Sequence, residues 1–334
     1  MTKRKVDIIL GGQWGSEGKG NIVSKIADRY DLLIRTGGPN AGHQVKFENN
    51  STFTFHHLPS GSLHNKKAPI YLCAGCVINP VKLLEEIASA GIPKTRIKIH
   101  PQAAIITEEH IEREKKLFAH IGSTSQGVGA ATIQKILRED TGTALARDCE
   151  MLRPMVCDEV IPIIQEASNI LLEGTQGTLL SLHHGDWPYV TSRDTTAAGF
   201  LSEAGLSPLW VRDIIMVVRS YPIRVQNPEG GTSGPMGIET TWEEVAAKIG
   251  ENPVKLKERE RTSTTKRQRR VAQFNYAYLK YATMLNGPNQ IALTFADYLT
   301  KDELTYMVHT IEMVTGVPVR FISRGFGPQF VEER

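Results

Sequence analysis

The sequence is poor in cysteine, in net charge and in long apolar runs. Its 334 residues include four cysteines, a content that fits a reducing compartment. The net charge of +3, from 39 basic and 36 acidic residues, is too small to indicate a nucleic-acid partner. No apolar run approaches the length of a membrane span, and polar residues 1–5 lead into a short apolar segment rather than a cleavable signal. We therefore expect a cytoplasmic protein with no nucleic-acid and no membrane partner.

Short apolar runs rich in β-formers alternate with helical patterns along the chain, which predicts an α/β fold. Because no linker or repeat separates two units, we expect residues 1–334 to form one large domain with inserted loops, built on a mostly parallel central sheet flanked by helices. Strands are predicted at 6–10, 31–35, 70–73, 97–99, 170–172, 214–219, 290–294 and 317–322, and a hairpin at 45–56. Helices are predicted from Pro80 to the stop at Gly91, at 108–120 and at 301–315.

Cys73 and Cys76 have the spacing of a metal or redox pair. No second pair of matching spacing accompanies them, so a metal site is not indicated. We expect both to be buried structural thiols, the usual state of a cysteine outside a disulfide.

The stretch Gly11–Asn21 is rich in glycine and stands between an apolar run at 6–10 and a helical pattern from Ile22. This order of strand, glycine-rich loop and helix is typical of a phosphate-binding loop. Glycines let backbone N–H groups approach an anion, a helix N-terminus adds positive potential, and Lys19 can neutralise phosphate oxygens. The usual P-loop spacing is absent, since five residues separate Gly12 from Gly18 and glycine follows the lysine. The loop thus predicts phosphate binding without indicating an ordinary P-loop enzyme.

The residues around this loop resemble the opening of the adenylosuccinate synthetase family. Gln13–Gly15, Glu17–Gly20 and Gly37–His43 carry the resemblance, and further blocks follow in the family's order at 122–129, 173–177, 184–196, 264–270, 294–297 and 323–325. The family joins the amino group of aspartate to the 6-position of a purine nucleotide and uses a nucleoside triphosphate. The short, archaeal-type members are the most similar. The resemblance implies an adenylosuccinate-synthetase-like fold, Mg²⁺ as cofactor, and a homodimer in which Arg138 reaches the partner's site.

The resemblance also implies a role for individual residues. His43 is expected to be the general acid, a role that suits a group titrating near neutrality. The predicted catalytic residues are Ser16, Lys19, His43 and Gln176. The predicted phosphate-donor residues are Gly15, Glu17, Gly18, Lys19, Gly20, Arg269, Asp297, Ser323 and Gly325. The predicted purine-monophosphate residues are Ser16, Asn40, Thr124, Arg138, Gln176, Leu180, Thr191, Val225 and Arg267. Aspartate is assigned to Thr264, Thr265 and Arg267, and Mg²⁺ to Ser16 and the Gly42 carbonyl.

Two of these assignments have alternatives. The basic run 264–270 has the composition of a nucleic-acid patch or a solvated face as well as of an anion site. Asp297 can accept hydrogen bonds from guanine or from adenine, so the donor is ATP, dATP or GTP. Phe326 and Gly327 form an insertion relative to the family beside Gly325.

Ser16 departs from the family, which has at this position an aspartate that removes the ring proton and binds magnesium. A serine hydroxyl cannot act as an independent base. One explanation is an inactive nucleotide-binding module, and another is an IMP-specific synthetase with a substitute base such as Glu17 or a metal-bound water. The favoured explanation is that serine leaves room for a 2-amino group. In lacking this aspartate, the sequence resembles a viral branch of the family. The enzymes of that branch join aspartate to dGMP and give a 2-aminoadenine precursor.

Overall fold

Parallel strands form the centre of the computed structural model, which describes residues 4–117, 123–138, 144–262 and 267–334. The strands of this part of the chain are β1 (Lys5–Gly11), β2 (Leu32–Arg35), β3 (His43–Lys46), β4 (Thr52–Phe55), β5 (Ile70–Leu72), β6 (Val77–Ile78), β7 (Ile97–Ile99), β8 (Ala104–Ile105), β9 (Asn169–Glu173), β10 (Val211–Arg219), β11 (Ile223–Arg224), β12 (Glu239–Thr240), β13 (Arg270–Ala272), β14 (Gln290–Thr294), β15 (Val319–Ser323) and β16 (Val331–Glu333). Its α-helices are α1 (Lys19–Ile26), α2 (Pro80–Ala90), α3 (Glu108–Leu117), α4 (Val128–Leu137), α5 (Ile161–Glu166), α6 (Ala197–Ala204), α7 (Trp242–Ile249), α8 (Pro253–Arg259), α9 (Tyr276–Asn286) and α10 (Lys301–Thr315).

In the described residues, nine strands form one sheet in the order β16-β15-β14-β10-β1-β9-β2-β5-β7. Every neighbouring pair is parallel except β15 and β16. Alternate residues of β1 enter different core clusters, with Ile8 and Leu10 in one and Ile9 in the other. Such burial of both faces is the rule for parallel sheets covered by helices, and it confirms the predicted fold class.

Local capping chemistry explains where the predicted helices begin and end. The Asn79 side chain accepts the Lys82 N–H before α2, and Gly91 in a left-handed conformation ends it. Thr300 and Glu303 form a reciprocal capping box at the start of α10. The predictions for α2 and α10 are confirmed. The helix predicted at 108–120 is described as far as Leu117, and residues 118–120 lie outside the described ranges.

Strand predictions are confirmed in position but not always at their ends. The last parallel strand was expected from Val317 and begins at Val319. Pro318 has no N–H to give to the ladder, so pairing starts after it. Strand β10 begins earlier than expected, at Val211, and the predicted hairpin pairs His43–Lys46 with Thr52–Phe55.

Cys73 and Cys76 are buried, as predicted, with their Sγ atoms 3.6 Å apart. Among the described residues, no group of three histidine, cysteine or acidic side chains is placed to hold a metal ion. No helix in those residues has the length and apolar character needed to cross a membrane.

Because the central strands are parallel, their carboxyl ends meet at one edge of the sheet, where α/β proteins place their ligand loops. The segments that follow β1, β2, β9, β10 and β14 all leave from this edge. These are the segments that carry most of the predicted site residues.

Candidate active site

The loop between β1 and α1 folds around the side chain of Glu17. Oε1 of this carboxylate accepts the backbone N–H groups of Gln13 at 3.2 Å and Gly15 at 2.9 Å. Its Oε2 lies 2.6 Å from Nζ of Lys19, which also donates to the Gln176 carbonyl at 2.5 Å. Glu17 and Lys19 are both buried. The loop therefore holds amide donors and an ammonium group close together.

Glycine makes this loop conformation possible at Gly15 and Gly18, whose φ angles are 89° and 78°. Helix α1 begins at Lys19, directly after Gly18, which has no side chain to cap the first amide groups. Helix N-termini of this kind attract anions. The geometry suits the phosphate binding that the sequence predicts.

Ser16 is exposed at the tip of the loop, where a ligand can reach its hydroxyl. Its φ of 56° is left-handed, a conformation that non-glycine residues adopt uncommonly. The Ser16 carbonyl accepts a hydrogen bond from Nη1 of Arg219 at 3.3 Å. This contact ties the tip of the loop to the end of β10.

The placement of Glu17 bears on the hypothesis that it is a substitute base. Its carboxylate is fully buried and is bonded to two loop amides and an ammonium group. A carboxylate held in this way shapes the loop and is not presented to a purine ring. The geometry therefore gives no support to Glu17 as the base, and a phosphate donor would meet its backbone rather than its side chain.

His43, at the start of β3, is bonded to a carboxylate that the site prediction did not include. Nδ1 of His43 lies 2.5 Å from Oε1 of Glu173, the last residue of β9. The same carboxylate accepts Ser60 N–H at 2.7 Å and Ser60 Oγ at 2.5 Å, and Nη1 of Arg35 lies 3.5 Å away. The signal for Glu173 is a charged residue at the carboxyl end of a buried parallel strand.

Burial and the nearby Arg35 guanidinium lower the pKa of His43 to about 3. The Arg35 guanidinium and the His43 hydrogen bond outweigh burial and lower the pKa of Glu173 to about 2. At neutral pH the imidazole is therefore neutral and the carboxylate is ionised. An ionised carboxylate accepts, so Nδ1 carries the ring proton and Nε2 has a lone pair. This differs from the expectation of a histidine titrating near neutrality, because the ring is buried beside a cation.

The loop after β9 lies directly against the phosphate loop. A Cβ placed on Gly15 would be 3.8 Å from both Gln176 and Leu180, and Thr178 Oγ1 donates to the Gly11 carbonyl at 2.7 Å. Thr191 donates its backbone N–H to the Leu180 carbonyl at 2.8 Å. The structure thus places Gln176 and Leu180, two of the predicted purine-monophosphate residues, beside Lys19 and Gly15 of the phosphate loop, with Thr191 bonded to Leu180.

Other predicted purine-monophosphate residues lie on separate segments. Asn40 is in the turn between β2 and β3, and Thr124 precedes α4, where its carbonyl accepts from Gln126. Val225 follows β11 and accepts from Ser233 Oγ. Arg138 is exposed at the carboxyl end of α4. Within the part of the chain that the structure describes, none of these four residues makes a hydrogen bond or ion pair with the phosphate loop.

Of the predicted donor residues, Gly15 to Gly20 lie in the phosphate loop and at the start of α1, and the others lie after β14, at the end of β15 and beside β13. Asp297 belongs to the short helical turn 296–298, and a Cβ on Gly18 would lie 3.4 Å from Phe295 in the same segment. Ser323 ends β15 and donates to the Gly325 carbonyl at 3.1 Å. Nη1 of Arg269 lies 3.1 Å from the Glu260 carboxylate.

The predicted aspartate-binding residues are only partly described. Arg267 is exposed and its backbone N–H donates to Thr262 Oγ1 at 3.0 Å. Thr264 and Thr265 lie outside the described residues. Gly42, the predicted magnesium ligand, lies between β2 and β3, one residue before His43.

Comparison with known proteins decides the family. The family model for adenylosuccinate synthetase matches residues 8–147 and 139–305. The chain belongs to the adenylosuccinate synthetase family. Adenylosuccinate synthetases of Methanocaldococcus jannaschii and Methanococcus aeolicus are each 36% identical to it over 341 residues, which cover 95% of this chain and 93% and 96% of the relatives. This synthetase is therefore a C–N ligase of the type that joins aspartate to a purine nucleotide.

Two solved structures share the fold of this synthetase. The succinoaminodeoxyadenylate synthetase (PurZ) of cyanophage S-2L, bound to dGMP and to dATP as an energy donor, matches with a TM-score of 0.87 and 30% identity over 99% of this chain and 95% of that one. Fully ligated adenylosuccinate synthetase of Plasmodium falciparum matches with a TM-score of 0.85 and 24% identity over 99% and 100%. The second likeness shows the fold alone.

Proposed function

We propose that this synthetase joins L-aspartate to the 6-position of dGMP with ATP or dATP as phosphate donor. The products are N6-succino-2-amino-2'-deoxyadenylate, phosphate and ADP or dADP. Ser16 carries the proposal, because a small uncharged side chain stands at the exposed tip of the phosphate loop. A guanine ring brings a 2-amino group that a carboxylate at this place would crowd. The fold shared with a synthetase bound to dGMP and dATP supports the same choice.

The reaction has two displacements, both of which need negative charge to be stabilised. The purine O6 attacks the terminal phosphorus of the donor, the bond to the bridging oxygen breaks, and the nucleoside diphosphate leaves. Lys19 and the N-terminus of α1 supply positive potential for this transfer, and Arg269 supplies a further positive charge. The neutral aspartate amine then adds at C6, the bond from C6 to the phosphate oxygen breaks, the 6-phosphate leaves, and the nitrogen releases one proton to solvent.

The ring N1 proton must be removed in the first step, and Ser16 cannot take it. The neutral His43 imidazole has a lone pair on Nε2, and Glu173 on the other side of the ring stabilises the imidazolium that forms. His43 then returns the proton to the departing phosphate as general acid. The lowered pKa of His43 is compatible with this cycle, because anionic phosphates near the ring favour its protonated form.

Mg²⁺ fits this site through oxygen donors. The Ser16 hydroxyl and the Gly42 carbonyl are hard ligands, and the donor phosphates supply others, as is usual for Mg²⁺. When bound, the ion neutralises charge on the phosphates being transferred.

We also propose a homodimer in which Arg138 reaches the partner's site. Arg138 is exposed at the end of α4, and its neighbours Ile136 and Leu137 are 68% and 55% exposed. Two large apolar side chains beside an exposed arginine are the composition of a protein interface.

Parallel assays test the choice of substrate. The protein is mixed with aspartate, Mg²⁺ and ATP, and either dGMP or IMP is added while phosphate release and nucleotide products are followed. We expect dGMP turnover to exceed IMP turnover, and Ser16→Asp to abolish it. Faster turnover of IMP would refute the proposal in favour of the ordinary synthetase with GTP. Nucleotide binding without any aspartate-dependent turnover would identify an inactive nucleotide-binding module.

A further inference from the structure

A second buried charge cluster lies behind the donor side of the site. Arg219, the last residue of β10, is 0% exposed, and its Nη2 lies 2.9 Å from Oε1 of Glu260. Glu260 follows α8 and is 1% exposed. Nη1 of Arg219 reaches the Ser16 carbonyl at 3.3 Å. One guanidinium thus joins the tip of the phosphate loop to a buried carboxylate.

The Glu260 carboxylate also holds the predicted donor arginine. Its Oε2 lies 3.1 Å from Nη1 of Arg269, whose backbone N–H donates to the Glu260 carbonyl at 3.3 Å. Tyr298 donates its phenol O–H to Oε1 at 2.6 Å. The Arg219 guanidinium lies 3.8 Å from the centroid of the Phe295 ring. The Glu260 carboxylate therefore contacts Arg219, Arg269 and Tyr298 directly, and Arg219 in turn connects it to the phosphate loop.

The charges of this cluster leave it suited to an anion. Arg219 and Arg269 are two cations against the single anion Glu260, so one positive charge is not compensated within the cluster. Nε of Arg269 has no hydrogen-bond partner among the described residues. That Nε atom is buried, but the Arg269 side chain is 14% exposed, so a triphosphate can approach the charged guanidinium from its exposed part.

We infer that Glu260 and Arg219 are positioning residues for the phosphate donor. They fix the Arg269 guanidinium and the Ser16 turn relative to each other before the triphosphate binds. A group held in its bound arrangement loses less conformational freedom on binding, which raises affinity without a direct contact. The inference rests on the proposed role of Arg269 as a donor ligand.

A similar cluster at the opposite edge of the sheet offers a matched control. Asp7 of β1 accepts from Tyr30 Oη at 2.6 Å and from Arg212 Nε at 2.9 Å. It has the same three groups, a carboxylate, a tyrosine and an arginine, and its carboxylate is also buried. It lies at the amino end of the strands, away from the phosphate loop. Substitutions in the Asp7 cluster should therefore lower the stability of the protein without changing its affinity for nucleotides.

The test compares Arg219→Lys and Tyr298→Phe with Arg212→Lys and Tyr30→Phe. Calorimetry measures the Kd of the non-hydrolysable imido analogues of ATP and GTP and the Kd of dGMP, and thermal denaturation monitors the fold. One of the two analogues should bind to the unaltered protein. We expect Arg219→Lys to raise the Kd of that analogue by roughly tenfold, or ~1.4 kcal/mol. Tyr298→Phe keeps the ring but removes two hydrogen bonds, the one that the phenol donates to Glu260 and the one that it accepts from Arg259 Nε, and should weaken analogue binding by about threefold. Affinity for dGMP should change less than twofold in Tyr298→Phe, and in Arg219→Lys, which also loses the contact to the Ser16 carbonyl, it should fall clearly less than the affinity for the analogue.

Tyr30→Phe and Arg212→Lys should leave all nucleotide affinities within about twofold while lowering the melting temperature. Equal losses for the analogue and dGMP, or equal losses in the control pair, would show that the cluster acts on the fold alone and would overturn the inference. So would unchanged analogue affinity in Arg219→Lys. The binding test does not depend on turnover. If the unaltered protein binds the analogue but shows no turnover of dGMP, the proposed function is refuted and the binding test remains valid. An unaltered protein that binds neither analogue would overturn both.

Discussion

Two buried carboxylates stand on opposite sides of the phosphate loop and hold different partners. Glu173 is surrounded by one arginine, one histidine and the amide and hydroxyl of Ser60. Glu260 is surrounded by two arginines and a tyrosine. In the proposed mechanism the first carboxylate orients His43, which exchanges a proton, whereas the second carboxylate contacts arginines, which keep a fixed charge. The same residue type is therefore expected to act on chemistry in one place and on affinity in the other.

The largest effect should come from exchanging each carboxylate for its amide. Glu173→Gln removes the acceptor that fixes the His43 tautomer, so we expect kcat to fall by about 10²–10⁴. Glu260→Gln should mainly raise the KM of the donor. Steady-state kinetics with each substrate varied in turn would separate the two. A rise in donor KM without a fall in kcat for Glu173→Gln would contradict the comparison.

Stability should fall in both amide variants, because each leaves a buried guanidinium without its counter-charge. Removing one partner of a buried ion pair costs about 3–5 kcal/mol. We expect the larger loss for Glu260→Gln, since two arginines depend on that carboxylate. Urea denaturation at neutral pH measures both. A larger loss for Glu173→Gln would show that Arg35 is the more dependent cation.

Acid should destabilise the protein through the same two groups. Glu173 and Glu260 have pKa values lowered to about 2, the first mainly by Arg35 and the second by Arg219 and Arg269. Their folded pKa lies below the unfolded value, so their stabilisation is present above about pH 4.5 and is lost as the pH falls toward 2. Each group adds up to ~1.4 kcal/mol per pH unit to the slope.

Denaturation curves between pH 3 and 7 measure this slope. We expect the slope to be smaller in Glu260→Gln than in the unaltered protein. His43 acts in the same direction, since its lowered pKa means that the unfolded chain takes up a proton below about pH 6.5 that the folded chain refuses. An identical slope in the variant would mean that Glu260 does not titrate at a lowered pKa.

The smallest effect should come from a single hydroxyl. Ser60→Ala removes a hydrogen bond to Glu173, and Ser62→Ala removes one from Ser62 Oγ to the Pro59 carbonyl at 2.6 Å; both serines are fully buried. Each change should cost about 1 kcal/mol of stability. A severalfold fall in kcat is expected for Ser60→Ala alone, because only Ser60 supports the carboxylate behind His43. Matching kinetics in the two variants would remove Ser60 from that role.

Local chemistry in the sequence determined the helix ends and the phosphate loop. The cap at Asn79, the stop at Gly91 and the glycines at 15 and 18 act through atoms a few residues away, so their pattern can be read directly. The resemblance to the family, which depends on the order of such local blocks, was confirmed. Strand ends were less certain, because pairing at Val211 and Val319 depends on a neighbouring strand.

The tertiary structure alone decided which charges meet. Arg35, His43 and Glu173 come together because β2 pairs with β9, and nothing near Glu173 in the chain indicates that partner. In the same way, Arg219 and Glu260 are 41 residues apart and meet only through folding. Burial then lowers the pKa of His43 below the near-neutral value that is usual for a histidine. Sequence fixes short-range hydrogen bonds, whereas long-range electrostatics follow from the strand order and the exclusion of water.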